Sequence, residues 1–146
     1  MVTVEETIVV ERPIEEVFAY FTDPARIPEW QSSALEAHLD GGGPMRAGST
    51  VLEKRKFLGR RMESTMEVLE YEPPHRFRIK ATSGPVPFEV TNTLSAAEGG
   101  TRINAVLEGE PGGFFRLAEP LVARAVAREL RNNLETLKDV LEAPKD

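Results

Sequence analysis

The chain has 146 residues, 40% of them apolar and 29% charged, which suits one domain with its own core rather than a disordered segment. Its formal net charge is −6, which argues against nucleic acid as a partner because neutralising phosphates needs a basic field. The absence of cysteine excludes disulfides, a thiol nucleophile and zinc–thiolate sites, and His38 and His75 alone cannot form a multi-histidine metal cluster.

The opening stretch alternates Val4, Glu6, Ile8 and Val10 against Thr3, Glu5, Thr7 and Val9, and predicts a first strand that stops at Pro13. This acidic, alternating start is unlike a signal peptide, and no segment approaches the roughly 20 apolar residues of a membrane span. The expectation is a cytoplasmic protein without stable membrane insertion. PIEEVFAYF then places Ile14, Val17, Phe18 and Phe21 on one helical face, with Pro13 suited to the first helical position. TDPARIPEW predicts a second short helix or turn, with Asp23 as cap, Pro24 at its first position and Pro28 limiting its length.

From there to residue 110 the signals are strands and turns. SALEAHLD puts Leu35, Ala37 and Leu39 on one side, with His38 among the opposite, solvent-side residues, and GGGP breaks it. STVLEKRKF turns at FLGRR around Gly59 into a strand with Met62, Ser64, Met66 and Val68 on one side. EPPH, which places His75 in a turn, leads to RFRIKA with Phe77, Ile79 and Ala81 inward. Two further strands place Phe88, Val90, Asn92 and Leu94, then Ile103, Ala105 and Leu107, on shared sides. Beyond EPGG the period changes to 3.6 and predicts a long helix ending before Pro144, with Pro120 near its start. Its apolar stripe runs through Phe114, Ala118, Val122, Val126, Leu130, Leu134, Leu137 and Leu141.

Polar residues intrude on two faces that should be dry. In STVLEKRKF, Glu53 and Arg55 sit on the same side as Val51 and Phe57, opposite an evidently solvated row of Lys54 and Lys56. On the long helix, Glu129 and Asn133 fall within the apolar stripe or at its margin.

The order of elements, with short turns throughout, predicts a curved antiparallel sheet covered by the last helix. VERPIEEVFAYFTDPARIPEWQ, EYEPPHRFRIK, EGGTRIN and RELRNNLETLKDVLE together resemble the START-related (SRPBCC) superfamily, in its polyketide cyclase/dehydrase-like branch. The resemblance spans the whole chain and implies an α+β helix-grip fold over residues 1–146 as a single START-like ligand-binding domain. It implies a curved seven-stranded antiparallel sheet wrapped around a long C-terminal helix, with two short helices between the first and second strands.

The same resemblance implies a ligand cavity between sheet and helix. Glu53, Arg55, Asn92, Glu129 and Asn133 would then engage the polar end of a small hydrophobic molecule, such as a lipid or polyketide. Met62, Met66, Phe77, Ile79 and Phe88 would form apolar wall, and Trp30 a lid or stacking surface near the mouth. Each has a structural alternative. Glu53 and Arg55 suit a strand near the rim with both side chains reaching water, or an internal ion pair such as Arg55 with Glu129. Trp30 suits ordinary packing at a loop–sheet junction. The basic run around Gly59 suits a solvated hairpin end.

The functional expectation is binding of the hydrophobic molecule without a metal or other cofactor, and homodimerisation is compatible with it. The rival is a cyclase, aromatase or dehydratase using the same cavity, with Arg55 or Glu53 polarising a carbonyl or moving a proton. A third is an interaction or stress-response module whose cavity is incidental. No catalytic residue is assigned, since both histidines fall on solvent-facing positions. Residues 111–120 and the loop from Pro85 to Pro87 are candidate gates because of their Gly and Pro content.

Overall fold

The computed structural model describes residues 2–57, 59–83, 87–109 and 119–144. Among them seven strands form one curved antiparallel sheet: β1 Val2–Val10, β2 Ala34–Leu39, β3 Thr50–Phe57, β4 Arg60–Glu72, β5 Arg76–Ser83, β6 Phe88–Ala97 and β7 Gly100–Gly109. Helices α1 Ile14–Phe21 and α2 Ile27–Trp30 lie between β1 and β2, and α3 Glu119–Glu142 follows the sheet. The strand order β1-β7-β6-β5-β4-β3-β2 places β1 and β2 at opposite edges. Only the connection between those two must cross the sheet, and α1 and α2 make that crossing. The other strands fold back in sequence, each beside the one before it.

Parity in the sequence carries through to the inner face. Register pairs Val51 with Met66, Glu53 with Ser64 and Arg55 with Met62, then Val68 with Ile79, Phe77 with Asn92 and Leu94 with Ile103. One end of this face is sealed: Val10, Val17, Phe18, Leu94, Ile103 and Leu137 are each at most 2% exposed. Burying a side chain of this size contributes about 1.5–3 kcal/mol, so this end anchors the fold.

Three expectations are adjusted. Pro13 is the N-cap of α1, in extended conformation, rather than its first residue, because its ψ of 145° precedes the helical turn. Pro28 does not stop the second helix; it occupies the first turn of α2, where its missing N–H costs nothing. Asp23 does cap the preceding 3-10 turn, accepting a 3.0 Å bond from the Ala25 N–H. Leu35 is 44% exposed, while Ala34 is buried, because a bulge between Ala34 and Glu36 inserts a residue and reverses the parity. Phe114 and Ala118 lie outside the described residues, as do residues 111–118 and 85–86 of the two candidate gates.

The C-terminal half of α3 is fastened to the free edge of β1. Lys138 Nζ donates to the Val9 carbonyl at 2.9 Å and to Glu142 at 2.6 Å, and Glu142 accepts the Glu11 N–H at 2.8 Å. Arg12 Nε donates to the Leu141 carbonyl at 2.8 Å, satisfying a helix-terminal acceptor. These bonds cover an edge that would otherwise offer open backbone groups to another strand.

The Glu11 N–H, followed by Lys138, holds the Glu142 carboxyl below its ordinary value of 4.5. A carboxyl lowered by folding contributes stability above that value and loses it as pH falls through the folded value. Glu142→Gln is therefore expected to lower stability by less than about 1 kcal/mol at pH 7, with a smaller difference from wild type at pH 3. Urea unfolding at both pH values measures this, and an unchanged difference at pH 3 assigns the loss to packing.

Candidate functional site

Away from the sealed end, side chains that point inward are not fully covered. Ile79 of β5, Phe88 and Val90 of β6 and Leu107 of β7 lie on the inner row yet are only half-buried. On α3, Val122, Val126 and Leu130 lie on the same stripe as the buried Leu134, Leu137 and Leu141 and are half-buried too. Ile79, Phe88 and Leu130 pack on the edge of the buried core, so these two half-covered apolar rows continue it beyond the sealed end. Two depressions lie elsewhere: one of about 250 Å³ in the β1–α3 seam between Glu6, Ile8 and Arg131, and one of about 600 Å³ on the β2–β4 rim beside Leu35, Lys54 and Met62. Neither contains Trp30 or Arg55.

Glu53 and Arg55 project inward from β3 and meet each other. Arg55 Nε donates to Glu53 Oε2 at 2.7 Å, and only 4% of the Glu53 side chain is exposed against 26% of Arg55. The guanidinium fork also donates through Nη1 to Ser33 Oγ at 2.9 Å and through Nη2 to Gln31 Oε1. One residue away, the Ser32 N–H donates to Asn133 Oδ1 on α3 at 3.2 Å. The segment between α2 and β2 is thus tied to the inner sheet by Arg55 and to the long helix by Asn133.

Trp30, which ends α2, heads this segment. Its indole stacks on Phe21 with ring centroids 5.1 Å apart, and Phe21 meets Phe77 edge-on at 6.4 Å. The residue is 6% exposed, and its Nε1–H has no acceptor among the described residues. The approach of α1 to α2 is set by Tyr20, whose hydroxyl donates to Glu29 at 2.9 Å while Arg26 holds the other carboxylate oxygen at 3.0 Å. Burial and then this bond push the Tyr20 hydroxyl up to about 12, and the Arg26 and Tyr20 donors hold the Glu29 carboxyl below its usual range.

The remaining expected site residues divide. Met66 and Phe77 are core, 2% and 7% exposed, whereas Met62, Ile79 and Phe88 are half-buried. Asn92 is 3% exposed, and its Nδ2 donates to the Phe77 carbonyl at 3.1 Å. Glu129 is half-buried, one turn before Asn133 on the same flank of α3, and forms no ion pair with Arg55. The partner of Arg55 is Glu53, two residues away on the same strand face. His38 and His75 are exposed. Gln31 and Ser33 join the cluster without having been anticipated. Their only mark in the sequence is the short polar run QSS between an aromatic residue and a strand.

A curved seven-stranded antiparallel sheet with a long C-terminal helix, and short helices between its first two strands, defines a helix-grip protein. The sequence matches the model of the family described as polyketide cyclase/dehydrase and lipid transport over residues 1–142, and the chain belongs to that family. No curated protein matches it. Among solved structures, TTHA0849 from Thermus thermophilus is similar at a TM-score of 0.81 and 17% identity, covering 97% of this chain and 99% of that one. Ara h 8.0201 gives 0.73 and 13%, covering 95% and 96%. The di-domain aromatase/cyclase BexL of the BE-7585A biosynthetic pathway gives 0.76 and 16%, with 98% of this chain matching 50% of that one.

Removing one partner of a buried ion pair typically costs about 3–5 kcal/mol, because the other charge is left without compensation. Arg55 keeps a quarter of its surface, so Arg55→Met is expected at the lower end, about 3 kcal/mol. Glu53→Gln combined with Arg55→Met should cost clearly less than the single change. Urea denaturation of the three proteins decides; a single variant as stable as wild type means that the pair does not organise the interior.

Proposed function

We propose that the protein binds a small hydrophobic molecule, such as a lipid or polyketide, in the gap between the sheet and α3. The observation that supports this reading is that the inward apolar side chains Ile79, Phe88, Val90 and Leu107 of the sheet, and Val122, Val126 and Leu130 of the α3 stripe, stay half-buried beside a core sealed to 2% or less. Natural interiors are close-packed, so an uncovered apolar row has a use. Trp30, Met66 and Phe77 serve as the floor of the site and Met62 as its rim. Arg55, Glu53, Asn92, Asn133 and Glu129 supply the polar groups that orient the ligand. In this reading residues 1–146 act as one ligand-binding domain, in the cytoplasm.

The family and the fold shared with the aromatase/cyclase BexL also support a cyclase-type reaction in the same gap. Against it stands the chemistry of the groups present. Both histidines are exposed, and Arg55 and Glu53 already occupy each other. A guanidinium in three contacts orients a carbonyl better than it moves a proton. Binding is the reading favoured.

Native mass spectrometry of protein purified from its own host is expected to show a co-purified hydrophobic ligand. A matching ligand at 100 times its Kd adds about 2.7 kcal/mol of stability, a rise in Tm of several degrees. Empty protein from the host, together with no thermal shift across a hydrophobic library, would remove the proposal. Two substitutions test the location. Val90→Trp should fill the gap and abolish ligand uptake at near-wild-type stability, whereas Leu94→Phe overpacks the sealed end and should cost about 1–3 kcal/mol. Equal destabilisation by both would show the gap to be closed.

A further inference from the structure

This inference rests on the binding function proposed above and concerns the charge of the ligand. Near the polar cluster, the inward-facing charged groups among the described residues are Glu53, Arg55 and Glu129. Arg55 is matched by Glu53 at 2.7 Å, and its other contacts go to the neutral Ser33 and Gln31. Glu129 has neither an ion pair nor a hydrogen bond among the described residues. The charges of the β1–α3 seam are already matched, Arg131 with Glu6 at 2.9 Å and Lys138 with Glu142 at 2.6 Å. Among the described residues the cluster therefore sets two carboxylates against one guanidinium and holds no spare cation.

An anion that leaves water for such an interior loses its hydration and requires a cation in exchange. Here it would meet a negative excess. A neutral polar group avoids that penalty, and a partner for it is present. Trp30 is 6% exposed with its Nε1–H unsatisfied among the described residues, and a buried donor without an acceptor is costly and rare. Trp30, Gln31, Ser32 and Ser33 are consecutive, so the indole and the Arg55 cluster share one stretch of backbone.

We infer that the site selects an uncharged hydrophobic molecule bearing a hydrogen-bond acceptor, of the ketone, ester or ether class. The acceptor engages Trp30 Nε1, and carboxylates or phosphorylated lipids with the same apolar body are rejected.

Calorimetry at pH 7 with methyl naphthyl ketone and with naphthoate compares one ring system in neutral and anionic form. The ketone is expected to bind tighter by about tenfold or more, equivalent to about 1.4 kcal/mol. Glu129→Gln should narrow that ratio severalfold. Because the chain has one tryptophan, its indole N–H cross-peak is unambiguous, and the ketone should move it downfield. Naphthoate binding as tightly as the ketone overturns the charge selection and leaves the binding function standing. Ketone binding with an unmoved indole signal overturns the role of Trp30. Failure of both probes, with empty protein from the host, overturns the underlying binding function and this inference with it.

Discussion

A guanidinium placed on the inner face of a sheet must be satisfied within that interior, and the way Arg55 is satisfied organises this molecule. Its fork reaches Glu53 on its own strand, then Gln31 and Ser33 on the connector from α2 to β2. The connector in turn bonds Asn133 of α3 through the Ser32 N–H. One side chain thus couples sheet, connector and long helix. A neutral residue at position 55 could pack there, but it could not hold the connector away from the sheet at a defined distance. Buried charge of this kind adds little net stability for its desolvation cost. What it provides here is placement.

Placement is needed because α3 is held unevenly. Its C-terminal half is fastened to β1 through Lys138, Glu142 and Arg12, and Leu134, Leu137 and Leu141 are buried there. Toward its N-terminus the same stripe continues as Val122, Val126 and Leu130 but is left half-covered. A helix of 24 residues extends about 36 Å, so contact at one end does not require contact at the other. The sealed end supplies the stability, and the half-covered end is where the proposed site lies. The polar bridge through Arg55 and Asn133 lies between these regimes, where a ligand would need its polar end recognised.

Much of the fold could be read in the sequence because strand parity is strict. Alternation alone placed Glu53 and Arg55 inward with Val51, and Asn92 with Leu94, and the register agrees. Parity failed at Leu35, where a bulge adds a residue that no local pattern announces. Helical periodicity located Asn133 and Glu129 on one flank but could not choose the partner of Arg55. The choice of Glu53 over Glu129 follows from distance along a single strand face, which depends on how far the helix stands off. Gln31 and Ser33 sit in an aperiodic connector, where only tertiary approach gives a side chain its role. The unsatisfied Trp30 N–H is likewise invisible in one dimension, since an indole in the core ordinarily finds an acceptor.

The proposed site requires that apolar walls of sheet and helix face each other across open space. Crystals pressurised with xenon test it most directly, because xenon enters dry apolar voids and is dense enough to be located. The account predicts xenon in contact with Ile79, Val90 and Leu107 on one side and Leu130 on the other. Crystals with no xenon there, and those four side chains interdigitated at core density, would contradict it.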